Sequence, residues 1–209
     1  YHYLKTIPVG AEGGWDYATT DEAARRIYVS HGTTIVVIDI DKDEVVGEIT
    51  DTPGIHGFAI ASELGLGFSS NGRENKASIV DLKTLQTKSK VETGLNPDAI
   101  LYVPGVQEVY TFNRDRNAPS ATVFEARTGK VIATIQLPGT PEFATVDTKA
   151  GRVYSNIDSK NLVAVIDIKT HAIVDQWSTA PGEGGSGMAI DLQNHRLFIG
   201  CDNLMVMMD

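Results

Sequence analysis

Val153-Tyr154-Ser155-Asn156, then Val163-Ala164-Val165-Ile166-Asp167, then the turn Lys169-Thr170-His171: this run of the 209-residue chain decides the fold. Its apolar stretches are short and rich in Val, Ile and Tyr. Asn, Asp, Gly and Lys-Thr turns separate them, which is the pattern of short antiparallel strands. The run predicts strands at about 143–147, 151–155, 162–167 and 172–178. Turns fall at Lys149-Ala150-Gly151, Ser159-Lys160-Asn161 and Lys169-Thr170-His171. No helix of ordinary length fits.

The same run recurs along the chain. Apolar strands ending in an acid are Val37-Ile38-Asp39, Ile79-Val80-Asp81, Val123-Phe124-Glu125, Val165-Ile166-Asp167 and Met207-Met208-Asp209, with the acids 42, 44, 42 and 42 positions apart. An aromatic precedes each one, at Tyr28, Phe68, Tyr110, Tyr154 and Phe198, spaced 40, 42, 44 and 44. Four strands per period of about 42 residues is the arithmetic of a β-propeller blade. The expected fold is therefore all-β, a propeller of about five four-stranded blades or a five-blade portion of a seven-bladed one. A single propeller domain over 1–209 is expected, with units at about 10–50, 51–92, 93–137, 138–180 and 181–209 plus 3–9. Residues 3–9, with Leu4, Ile7 and Val9, resemble the outermost strand of the other units. They are expected to supply the fourth strand of the last unit and so close the ring.

Composition narrows the function. The chain carries 27 acidic and 18 basic side chains, a formal charge of −9, and 42% hydrophobic residues, ordinary globular usage. Its basic residues are scattered rather than clustered, so nucleic-acid binding is not expected. The longest runs of large apolar residues, such as Leu204 to Met208, fall far short of the roughly 18 to 20 that a membrane span needs. A lone Cys201 excludes an intramolecular disulfide and any cysteine-pair zinc site. The chain opens at Tyr1 with neither initiator Met nor apolar leader, consistent with a processed mature chain or a trimmed piece.

The anchors Tyr28-Val29-Ser30-His31, Phe68-Ser69-Ser70-Asn71, Tyr110-Thr111-Phe112-Asn113 and Tyr154-Ser155-Asn156 are each followed by an apolar strand ending in an acid and, in most units, a Lys-Thr or Thr-Gly turn. This resembles the YVTN repeat of the YncE-like β-propeller proteins. Gly13-Gly14-Trp15-Asp16-Tyr17, Pro97-Asp98-Ala99-Ile100 and Pro141-Glu142-Phe143-Ala144 extend the resemblance over the whole chain. It implies a seven-bladed, exported protein, periplasmic or extracellular, without an established reaction. Five repeats rather than seven depart from that pattern, and Phe198-Ile199-Gly200-Cys201 is the weakest match.

Several formal motifs carry nothing. Gly182 to Gly187 fits a dinucleotide fingerprint by letter, but it joins two strands and no helix follows. Asp39, Asp41 and Asp43 imitate a calcium loop that lacks the required Gly and Glu. Ser186 lacks the glycine spacing of a nucleophile elbow. His171 and His195 fall in turns, where solvent-facing rings are expected.

Position yields a better candidate. Twelve residues before each aromatic stand Asp16, His56, Asp98, Glu142 and Ser186, each at the start of its unit's first strand. In a propeller that strand is innermost, so these residues converge on one mouth of the central channel. Three carboxylates and an imidazole on one axis need a bound cation, raised pKa values or nearby arginines to relieve their repulsion. Asp16, His56, Asp98 and Glu142 are thus the candidate metal ligands, and a divalent metal ion is the one cofactor they suggest; the alternative is a hydrated polar plug. Trp15, Arg73, Asn113 and Arg114 complete the candidate ligand-binding set. Arg73, Arg114 and Arg116 stand to bind an anion or to neutralise the ring, and Trp15 to stack on a ligand or on its own blade. The expected function is a non-catalytic binding propeller that takes a small ligand, ion or protein segment at this mouth. The alternative is a metal-assisted hydrolase of the propeller lactonase type.

Overall fold

The computed structural model describes residues 2–10 and 13–209. Tyr1, and Ala11 and Glu12 within the first predicted unit, lie outside the described residues. The chain is an all-β propeller of five antiparallel sheets laid down one after another. Blade one is β1 (Trp15–Asp21), β2 (Arg26–His31), β3 (Thr34–Asp39) and β4 (Glu44–Ile49). Blade two is β5 (Ile55–Ala61), β6 (Leu66–Asn71), β7 (Lys76–Asp81) and β8 (Gln86–Glu92). Blade three comprises β9 (Pro97–Val103), β10 (Glu108–Asn113), β11 (Ser120–Glu125) and β12 (Val131–Gln136). Blade four comprises β13 (Pro141–Asp147), β14 (Arg152–Ile157), β15 (Leu162–Asp167) and β16 (Ala172–Ser178). Blade five has three strands, β17 (Met188–Asp191), β18 (Arg196–Gly200) and β19 (Met205–Met208). Helical structure among the described residues is limited to two three-residue 3-10 turns, Ser62–Leu64 and Asp158–Lys160.

Both repeated anchors have a structural cause. In blades one to four, the acid ending the third strand turns back to accept N–H groups two or three residues on. Asp39 takes those of Asp41 and Lys42 at 3.1 and 3.0 Å, and Asp81 those of Lys83 and Thr84 at 3.0 and 2.9 Å. Glu125 does the same for Arg127 and Thr128, and Asp167 for Thr170. An acceptor side chain there fixes the tight turn into the outermost strand. The aromatics fill the gaps between blades. Tyr28 and Phe58 meet at 5.0 Å between blades one and two, and Phe68 meets Tyr102 and Phe124 between blades two and three.

Hydrophobic clusters occupy four successive interfaces: blades one and two, two and three, three and four, four and five. On β1, in contrast, Ala18 and Thr20 are exposed. The predicted closure by residues 3–9 is not what the chain does. Residues 2–10 form no strand, and β19 pairs only with β18. Lys5 instead reaches Asp43 at 2.8 Å, at the turn between β3 and β4 of blade one. Leu4, 82% exposed, meets no apolar face that would reward pairing.

Stability should follow the interblade cores. Phe124→Ala removes a fully buried ring and is expected to cost about 3–5 kcal/mol. Leu192→Ala, at a half-exposed position, should stay within about 0.5 kcal/mol. Urea denaturation of the two variants measures both.

Candidate binding site at the channel mouth

Every first strand begins on the same face, here called the upper face. Successive first strands β1, β5, β9 and β13 are held together by side chains. Thr19 Oγ1 donates to Phe58 O at 2.7 Å, and Ser70 Oγ takes the Gly57 N–H while donating to Asp98 O. Tyr17 spans from β1 to donate to Glu142 O at 3.2 Å, with its ring 5.6 Å from Phe143. Together with Phe58, Tyr17 and Phe143 leave only a narrow apolar space of about 90 Å3 inside the channel. The polar mouth therefore stands on an apolar floor.

Four of the predicted side chains converge at that mouth. His56 Nδ1 is 2.7 Å from Asp16 Oδ2 and 3.6 Å from Asp98 Oδ1. Donor atoms of Asp16, His56 and Asp98 all lie within 4.8 Å of one another. Glu142 does not belong to that group, contrary to the sequence-based expectation. Arg114 stands between, its Nη1 at 3.1 Å from Asp98 Oδ2 and 2.6 Å from Glu142 Oε2, and its Nη2 at 3.2 Å from Asp158 Oδ2. The guanidinium directs its N–H groups at Asp98 and Asp158, so Glu142 Oε2 has charge contact but no hydrogen-bond donor.

Burial sets the electrostatics. The Asp98 side chain is only 7% exposed, and burial pushes its carboxyl above the ordinary range against the pull of His56 and Arg114. Burial likewise raises Glu142, opposed by Arg114 and reinforced by Asp98. The Tyr17 phenol is pushed far up, first by burial and then by Asp98 and Glu142, so it remains a hydrogen-bond donor. Asp16, with its side chain 40% exposed, opens the cluster to solvent.

The remaining candidates divide. Trp15 is half-exposed and stacked on His31, ring centroids 3.9 Å apart and 13° from parallel, so blade one holds the indole flat. Trp15, Asp16, His56, Arg73 and Asn96 border a cleft of about 380 Å3 between blades one and two. A Cβ at Gly72 would stand 2.8 Å from His56 Nε2 and 2.7 Å from Asn96 Oδ1, so a larger residue there would push those two side chains aside. Arg73 is exposed at its rim. Asn113 corrects its expected role. It is fully buried and its amide donates to Ser120 Oγ and Thr122 Oγ1, tying β10 to β11 within blade three. Asn71 makes the matching bond to Ser78 in blade two, which is why Asn recurs there. Ser186 lies ahead of β17, and its carbonyl accepts from Asn156 at 2.7 Å. His171 also departs from expectation, with Nε2 2.9 Å from Glu108 Oε2 on the opposite face. Asp158 and Tyr17 were missed; Asp158 had a signal in its place on the loop after Asn156, but its bond to Arg114 spans 44 residues.

No protein-family model and no curated protein matches the chain. Its fold matches 1192 chains of solved structures, too many for the likeness to point to one activity. One is a hydrazine synthase chain from Kuenenia stuttgartiensis, with a TM-score of 0.84 at 15% identity. The alignment covers 95% of this chain, which spans 58% of the length of that one. At this identity the likeness shows the propeller architecture alone.

The raised carboxyls give a signed pH response. A carboxyl whose folded pKa exceeds its unfolded value binds more protons in the folded state, so stability falls as pH rises through that window. The window opens at the ordinary carboxylate values of about 4. Glu142→Gln should flatten the decline, and Arg114→Ala, which strips the opposing charge, should steepen it. Denaturant melts of chelator-treated protein across pH 4 to 7 would read this, and identical slopes would count against it.

Proposed function

We propose that this protein is a non-catalytic binding propeller of the YVTN-repeat, YncE-like kind, exported to the periplasm or cell surface, which holds a divalent cation at its upper mouth. The observation that carries the reading is the meeting of one imidazole nitrogen and two carboxylates within 4.8 Å. One nitrogen with oxygen donors suits zinc, manganese, iron or calcium better than copper(I). Buried Asp98 favours such an ion, because a carboxylate that burial keeps from water gains from a further counter-charge beside Arg114. Arg114 contributes by keeping Glu142 out of the cluster. The repeat pattern of Tyr28, Phe68, Tyr110 and Tyr154 supports the family, and export rests on that resemblance.

A second reading has support in the same geometry. Three protein donors are gathered among the described residues and Asp16 faces solvent, so water or substrate would complete the coordination, as metal-assisted hydrolysis of a lactone requires. A panel of lactones and esters separates the two readings.

Calorimetric titration of chelator-treated protein with manganese, zinc and calcium is the test. Saturable binding is expected. His56→Ala and Asp98→Asn should weaken it about tenfold or more, while Glu142→Gln should stay within about threefold. No binding in the parent protein, or equal loss in all three variants, would leave the hydrated polar plug as the better account.

A further inference from the structure

A separate cleft of about 590 Å3 opens on the upper face between blades three and four. We propose that it binds a small multivalent oxyanion, the chemistry shared by phosphate monoesters and dicarboxylates, through Arg114, Arg116 and Lys160. Arg114 is shared among Asp98, Glu142 and Asp158, so the positive charge left to meet a ligand is that of Arg116 and Lys160, and the one acid lining the cleft, Asp158, is already held by Arg114. Two uncommitted cations lining one cleft of a molecule with net charge −9 mark a place where an anion is favoured over the rest of its surface.

The cleft has a built floor. Asp158 N donates to Thr140 O at 3.1 Å, and Thr140 N donates back to Ser159 Oγ at 2.8 Å, locking the Asp158–Lys160 turn onto the link between β12 and β13. Gly139 permits that approach. A Cβ there would stand 2.8 Å from Lys160 Cγ and 2.9 Å from Ile157 Cγ2. Ser159 N and Arg114 both engage Asp158, so this carboxylate is already occupied. On the loop after β10, Asp115 accepts the Asn117 N–H at 2.9 Å. Arg116 and Lys160, in contrast, are exposed and make no ion pair among the described residues. Two unpaired cations lining the same cleft as the Arg114 guanidinium suit an anion with several oxygens.

Arg114 also links this cleft to the acidic cluster. It holds Asp98 on one side and Asp158 on the other. A cation taken up by Asp16, His56 and Asp98 would draw Asp98 away from the guanidinium and leave it freer for the anion. By linkage the anion would then strengthen cation binding equally. This coupling rests on the cation reading; the oxyanion site does not.

The test is calorimetric titration of the chelator-treated full chain with inorganic phosphate and, separately, with succinate, at constant ionic strength. Saturable binding is expected, weakened about tenfold by Arg116→Ala and by Lys160→Ala. Lys169→Ala, on the opposite face, should leave it unchanged. Binding of phosphate alone assigns phosphate esters, and of succinate alone dicarboxylates. Failure of both probes to saturate, or undiminished affinity in the Arg116→Ala/Lys160→Ala double variant, overturns the oxyanion site. Manganese is then added to the succinate titration. Tighter succinate binding supports the coupling, and unchanged affinity overturns it while leaving the oxyanion site standing. Manganese that fails to bind at all overturns the cation reading alone.

Discussion

A sheet of three or four short strands cannot cover its own apolar faces, and that constraint organises the whole molecule. Each blade buries Tyr, Phe, Val and Ile against the next blade, so the sheets stack face to face and their strands lie in ranks. A stack of twisted sheets brings the first strands together on one axis. Residues some 40 positions apart thereby become neighbours. The clustering of Asp16, His56, Asp98 and Glu142 is a by-product of apolar burial, since nothing in their own chemistry would draw three acids together.

Having gathered them, the fold must relieve their repulsion above an apolar floor. Arg114 does most of this, reaching Asp98, Glu142 and Asp158 from a single guanidinium. Burial above that floor still raises the Asp98 and Glu142 carboxyls, against the pull of Arg114 and with a smaller push from the neighbouring carboxylates. A proton on either carboxyl relieves the cost of that burial, and the cation proposed for Asp16, His56 and Asp98 would relieve it in the same way.

The two faces of each blade loop divide the labour. Turns on the lower face are closed by the acids that end the third strands, which consumes those carboxylates in local hydrogen bonds. Loops on the upper face leave side chains such as Arg73, Arg116 and Lys160 free to project. Equal numbers of acids in a sequence window can thus mean a turn in one place and a binding surface in another.

What the sequence determined by itself was everything set by local period: the all-β class, the blade length, the aromatic and acidic anchors, and the register that placed Asp16, His56, Asp98 and Glu142 on one face. Strand alternation and turn chemistry act over a few residues, so they are written where they act. Tertiary structure alone decided which of those residues touch. That Arg114 would claim Glu142 and leave the cluster to Asp16, His56 and Asp98 depends on side-chain reach across the channel. That Asn113 would turn inward depends on hydroxyls of β11 paired beside it. The course of residues 3–9 was misread for the same reason, because apolar alternation marks a segment able to pair, and only the presence of an apolar face opposite decides whether it does.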